Sequence, residues 1–483
     1  MKINNIKNYF AYLTCFITGL VILIIELVSF RLLAPYFGTS SYVTGIIINT
    51  VLSALAVGYY IGGYTADKYK NIVLPYIIIF FTAIYLLIFF YLYPLILKYM
   101  SHASAILGAF LSIFSMFFIP MITLAFIPPY LIKMLTSIDN IGKTAGQIYS
   151  LSTFGSIIGG ILTTFIFIPY FGSQKTFITA IVLLILISVS GLFISSKYSI
   201  LLLLIIIIPS VFYQKKNDNA VYSTESQYNL IKVLKENNEL YLYLNNFFGY
   251  HSKSLNNKKL SESYYDYFLV TPALTDGKEI LILGNGAGTS MTQLSYFYDV
   301  HIDGIEIDPE LTRVGRNILN LKPNKNEVNI IHKDARYYLN GTYKKYDIII
   351  IDLYAGSPYI PFHLATLEFF RLVKKNLKDN GVIAINFPEY AVNTDLETYY
   401  MDTIGKSFPS IFISDHIIFA FKEKRDLNFI KNKIQKFHPD KNLRLFFNNI
   451  LNQIYEITEI KNDLVFTDDH TPIDNLIFKI LKM

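Results

Sequence analysis

Glu306 and Asp352 each close a short apolar run, Asp334 follows another after His332-Lys333, and Gly284-Asn285-Gly286-Ala287-Gly288 closes the run before them. Glycines at a strand-to-helix turn let backbone amides approach a ligand closely. A carboxylate about 20 residues further on, at the end of the next strand, accepts both hydroxyls of a ribose. Glu306 holds that place. In an open α/β sheet, ligands bind beyond the carboxyl ends of the strands. Two more acidic residues at such ends, with a late hairpin, predict a nucleoside pocket of S-adenosylmethionine type rather than a dinucleotide pocket. An Asp before a helix is also a common N-cap, which is the plainer reading of Asp334 and Asp352.

The elements that must position these residues alternate in type. Strands are expected at Glu279–Leu283, His301–Ile307, Val328–His332, Asp347–Asp352 and Gly381–Phe387, with helices between them. Such alternation implies a parallel sheet covered on both faces. Ile411–Ser414 and Ile417–Phe421, joined by Asp415-His416, read as a closing hairpin. Before this domain, Val221–Val233 and Glu239–Phe248 read as strands, with Asn245-Asn246 as turn chemistry.

Composition divides the chain. It is 53% apolar and 16% charged, with formal net charge +6 and mean hydropathy +0.39. That charge content is low for a wholly soluble protein. Residues 1–213 carry 10 Lys/Arg and 3 Asp/Glu; residues 214–483 carry the remaining 32 of 42 and 33 of 36. The net +7 of the first part lies in short loops between apolar runs. It concerns membrane orientation and offers no basis for a nucleic-acid partner. The single Cys15 excludes an intrachain disulfide.

A membrane helix needs about 20 mainly apolar residues. Six runs qualify, at 9–30, 41–63, 72–96, 103–127, 148–169 and 176–195, and a shorter seventh covers 198–213. About seven spans are expected, with six plus a surface segment as the alternative. The first run reads as an anchor rather than a cleaved signal. Within it, Glu26 is a costly intramembrane carboxylate that pairs with Arg31 or serves a function. Gly58, Gly62 and Gly63 read as close helix packing. With seven spans and a cytoplasmic catalytic domain, the Lys/Arg count in short loops is 5 inside against 7 outside, contrary to the positive-inside rule. Six spans remove that conflict, and a cytoplasmic catalytic domain is the expectation.

The soluble part resembles the spermidine synthase (polyamine aminopropyltransferase) family over about 221–480. Glu225–Asn229 is similar to its ESxYQ strand, and Tyr264–Pro272 to its Y-[HQ]-E-x-L-x-x-P stretch. Gly284–Gly288 is similar to its GGGDG loop, Glu306-Ile307-Asp308 to its E-I-D, and Asp334-Ala335 to its D-G/A. Asp352 falls on the aspartate heading its D-S-x-D-P loop. The whole chain resembles a narrower branch, the membrane-fused spermidine-synthase-like proteins. Gly58–Lys68, Ile168–Gly172, Tyr359–Leu364 and Thr467–Pro472 are among the segments that carry this likeness.

The resemblance implies a multi-span domain at 1–213, a small β-rich part at 214–270 and a Rossmann-like, methyltransferase-type catalytic domain at 271–483. It implies aminopropyl transfer from decarboxylated S-adenosylmethionine to a putrescine-like amine. Asp352 would be the general base. Asn229, Gly284, Gly286, Gly288, Glu306, Asp308, Asp334 and Ala335 would hold the nucleoside, and Tyr265, Asp266, Tyr354 and His363 the acceptor. No metal is implied, the bilayer is a partner, and a homo-oligomer is compatible with this reading. Three departures bear on the acceptor. The Asp of the glycine loop is Ala287, the second Asp of the D-S-x-D loop is Ala355, and Asp266 stands beside Tyr265 in place of His or Gln. Asp266, Asp468 or Asp469 is then expected to supply the missing carboxylate. Methyl transfer from intact S-adenosylmethionine, or a transporter or sensor without turnover, are the alternatives these departures leave.

Overall fold

The computed structural model describes residues 2–136, 140–195, 220–245, 249–257, 259–323, 328–354, 359–437, 440–458 and 464–481. The chain forms two units, Met1–Asp218 with Glu225–Gln227, and Asn219–Thr224 with Tyr228–Met483.

The first unit is helical. Five helices among the described residues are long and apolar enough to cross a membrane: Asn8–Phe37, Ser41–Lys68, Leu74–Met100, Ile106–Leu135 and Ile141–Ile194. They cover all six of the longer expected runs. The runs at 148–169 and 176–195 belong to one 54-residue stretch. That stretch breaks at Gly172, whose φ of 75° and ψ of 170° are non-helical. The run at 198–213 lies outside the described residues. Small residues bring the helices together, as in membrane bundles. A Cβ on Gly58 would stand 2.4 Å from the Ile122 carbonyl oxygen, and one on Gly62 2.4 Å from that of Phe126. Gly63 has open space instead.

The second unit starts with a four-stranded sheet, β1 (Ala220–Glu225), β2 (Leu230–Glu236), β3 (Glu239–Leu244) and β4 (Tyr250–Lys253), in that order. The expected strand 221–233 is thus two strands. The tight turn falls at Asn237-Asn238, both at positive φ, as a two-residue hairpin turn requires. Asn245 closes β3 with a φ of 51°, and Asn246 lies outside the described residues.

Eight strands follow in one sheet: β5 (Glu279–Leu283), β6 (His301–Ile305), β7 (Val328–Ile331), β8 (Tyr346–Ile351), β9 (Leu377–Asn386), β10 (Ser410–Ser414), β11 (Ile417–Phe421) and β12 (Tyr455–Glu456). Their spatial order is β12-β10-β11-β9-β8-β5-β6-β7. β7, β6, β5, β8 and β9 pair in parallel. β11 and β10 extend the sheet as an antiparallel hairpin, with Ile417 opposite Asn386, and β12 edges β10. The almost unbroken Ile and Leu of β5 and β8 suit strands covered on both faces, and nearly every residue in them is buried. The chain leaves β5 for β6 on one side and reaches β8 on the other. That switch point opens the crevice between their carboxyl ends.

Candidate active site

The crevice is framed by the glycine loop after β5 and by Asp352 after β8. Gly284 takes a φ of +83°, and a Cβ there would stand 2.0 Å from the Asp352 carbonyl oxygen. Asp352 N in turn donates to Leu283 O at 2.9 Å. Gly286 and Gly288 also sit at positive φ. The loop leads into the helix Thr289–Phe297. β4 packs beside it: Ala287 N donates to Ser252 Oγ at 2.9 Å, and Lys253 N to Thr289 Oγ1 at 3.2 Å.

Glu306 follows β6 and is buried. Its Oε2 accepts from Gly286 N at 2.8 Å and its Oε1 from Asp308 N at 3.0 Å. Burial outweighs these bonds and raises its pKa to about 7. Two donating hydroxyls would stabilise the ionised form, so the site suits a ribose. The side-chain amide of Asn285 is buried beside Gly304, with neither atom hydrogen-bonded among the described residues.

Asp308 is fully buried. It caps the helix Pro309–Asn317 by accepting from Glu310 N at 3.1 Å. Its other oxygen accepts from Asn229 Nδ2 at 3.0 Å, which ties the residue before β2 to the segment after β6. Asp334 caps the helix Ala335–Gly341 through Tyr337 N at 2.8 Å. It keeps its other oxygen 3.9 Å from His363 Nε2. Ala335 is buried behind it.

Asp352 is held by two neutral donors. Tyr264 Oη donates to Oδ2 at 3.0 Å, and Asn386 Nδ2 to Oδ1 at 2.9 Å. Burial is the larger influence and raises its pKa to about 6, against the opposing pull of both hydrogen bonds. Tyr354 donates to Asn386 O at 2.9 Å. The Tyr264 and Tyr265 rings lie 4.0 Å apart, and the His416 ring meets Tyr264 edge-on at 6.2 Å. Tyr265 is 3% exposed, and its hydroxyl makes no hydrogen bond of ordinary geometry, although Tyr264 and Ser252 are near enough to influence it.

The structure thus brings Tyr265 and Tyr354 to Asp352, and adds three residues that sequence reasoning passed over, Tyr264, Asn386 and His416. Tyr264 had a signal, since it heads the same Tyr-Tyr-Asp triplet as Tyr265. Asp266 is engaged by its own segment and by Gln293. It is 4% exposed and accepts from Ser261 N at 2.8 Å, Ser261 Oγ at 2.7 Å, Glu262 N at 2.9 Å and Gln293 Nε2 at 2.6 Å. Three of these donors fall on Oδ1 and one on Oδ2. Asp468 is occupied likewise, accepting from Arg336 at 2.8 and 2.5 Å and from Thr366 Oγ1 at 2.7 Å. Asp469 is exposed. Ala355 lies outside the described residues.

Residues 264–420 match the spermine/spermidine synthase domain. A probable polyamine aminopropyl transferase of Bifidobacterium longum is 34% identical over 170 residues, which are 35% of this chain and 37% of the relative. A polyamine aminopropyltransferase of Oceanobacillus iheyensis is 28% identical over 287 residues, 53% of this chain and 55% of the relative. The chain therefore spans about half, or less, of the length of these curated relatives. A solved spermidine synthase of Thermotoga maritima is similar with a TM-score of 0.38 and 17% identity, over 48% of this chain and 88% of that one.

Proposed function

We propose, from the premise that the second half of the chain carries a spermine/spermidine synthase domain, that the protein is a membrane-bound aminopropyltransferase. It transfers the aminopropyl group of decarboxylated S-adenosylmethionine to an amine. The observation that carries this reading is the Asp352 carboxylate, set at the switch point by Tyr264 and Asn386 and directly behind the glycine loop.

The sulfonium donor supplies the leaving group; the chain's residues supply placement and a proton acceptor. Glu306 receives the ribose hydroxyls, with Asn229 and Asp308 supporting that wall. Asp334 and Ala335 take the base end of the nucleoside. Gly284, Gly286 and Gly288 give the loop its close approach. An ammonium cannot attack until it loses a proton. Asp352 accepts that proton, as a general base does, and its pKa of about 6 leaves it ionised at neutral pH. Both donors hold the carboxylate in one orientation, so much of the remaining gain is positional. Tyr265 and Tyr354 line the acceptor side, and His363 faces Asp334 at the other end. Five helices of the first unit, long and apolar enough to cross a membrane, support a bilayer location.

Methyl transfer from intact S-adenosylmethionine is the second reading. It is favoured by Ala287, which leaves the loop without a carboxylate to repel that cofactor's own. Calorimetry on the full chain in detergent tests the choice. The decarboxylated form should bind more tightly than the intact one, whereas the reverse order would favour methyl transfer.

A further inference from the structure

Arg336 sits two residues after Asp334, in the first turn of the helix Ala335–Gly341, and joins segments that are far apart in the chain. Its Nη1 donates to the His363 carbonyl oxygen at 2.8 Å and to Asp468 Oδ1 at 2.8 Å, and its Nη2 to Asp468 Oδ2 at 2.5 Å. Both oxygens of one carboxylate are gripped by a planar fork that a lysine does not reproduce.

Asp468 is itself fixed. It accepts from Thr366 Oγ1 at 2.7 Å, and its N donates to Glu368 Oε2 at 3.1 Å. Two residues before it, Phe466 is fully buried, stacks on Tyr399 with ring centroids 5.1 Å apart, and accepts from Leu367 N at 2.8 Å. The segment around Asp468 thus has an anchorage of its own, and Arg336 connects it to the backbone of His363. The His363 ring stands with Nε2 3.9 Å from Asp334 Oδ2.

We propose, on the aminopropyltransferase reading with Asp334 at the base end of the nucleoside, that Arg336 is a positioning residue for the donor. Tied to Asp468, it holds the short 3-10 helix Phe362–Leu364 so that His363 faces Asp334. The guanidinium acts through the backbone of His363. Its loss therefore loosens donor binding and leaves proton transfer at Asp352 as it was.

Methylthioadenosine binding and steady-state kinetics of the full chain in detergent test this, at a temperature where melting curves show every variant folded. Arg336→Gln and Asp468→Asn should each raise the methylthioadenosine Kd and the KM for decarboxylated S-adenosylmethionine at least about fivefold. The double variant should be no weaker than the poorer single one, because both changes break one connection. Arg336→Lys keeps the charge without the fork and should still raise the donor KM. The KM for the amine and the acid limb of the pH–rate profile should keep their wild-type values. A wild-type Kd in Arg336→Gln, a wild-type donor KM in Arg336→Lys, additive losses in the double variant or an equal rise in the amine KM would overturn the proposal and leave aminopropyl transfer standing. A wild-type chain that binds no methylthioadenosine would overturn it together with the nucleoside assignment beneath it.

Discussion

The Tyr264 hydroxyl lies 3.0 Å from Oδ2 of Asp352 and donates to it. A donor of this kind stabilises the ionised carboxylate, so it holds the pKa of Asp352 below what burial alone would impose. In the proposed role of general base, Asp352 works only when ionised. The rate should therefore rise with pH through about 6, and not through the ordinary carboxylate range nearer 4. Tyr264→Phe should move this acid limb upward by about one unit, the equivalent of one hydrogen bond to a charge. A pH–rate profile of both proteins checks it.

Glu306, the proposed ribose partner, also bears on stability. Burial holds its folded pKa at about 7, above the ordinary 4.5 of a glutamate. The native state then holds more protons than the unfolded state between those values. Its contribution to stability is complete below about 4.5 and is lost as pH rises through about 7. Glu306→Gln should flatten that part of the curve of melting temperature against pH, measured by calorimetry on the full chain. The same variant should weaken methylthioadenosine binding at least about tenfold, since it removes the charged acceptor proposed for the ribose hydroxyls.

Asp266 anchors the segment that carries Tyr264 and Tyr265. Its carboxylate joins Ser261 and Glu262 to Gln293 on the helix that follows the glycine loop. Asp266→Ala strands four donors in a buried place and should cost about 3 kcal/mol or more. Asp266→Asn keeps part of the acceptor capacity and should cost less. Denaturant midpoints of the two variants order them.

Gly284 has no room for a side chain. A Cβ would collide with the backbone of Asp352 and would also require a residue other than glycine at φ +83°. Gly284→Ala should lose about 2 kcal/mol or more of stability. It should also lower kcat at temperatures where the protein remains folded, because it pushes directly on the strand end that positions the base.

Much of this was legible in residue order. The Ile runs of β5 and β8 marked buried strands because a strand covered on both faces tolerates no polar interruption. The acidic strand ends followed from the same pattern. Other features depend on tertiary contacts that spacing does not encode. Tyr264 and Tyr265 are adjacent and alike, and only the short 3-10 helix Tyr264–Val270 decides which hydroxyl reaches Asp352. Asp266 looked available to an acceptor because its donors, above all Gln293, are distant in sequence. The break at 226–229 divides what reads as one strand. The two runs at 148–169 and 176–195 gave no sign that the structure would carry them as one long stretch bent at Gly172.

The most direct test follows one label. The full chain in detergent is incubated with an amine and decarboxylated S-adenosylmethionine carrying heavy carbon in its aminopropyl group. Wild type should yield methylthioadenosine and an amine enlarged by the labelled aminopropyl unit. Asp352→Asn should form this product about 100- to 10,000-fold more slowly while still binding methylthioadenosine. Product formation by Asp352→Asn at the wild-type rate, or an unlabelled amine with wild type, would contradict the account.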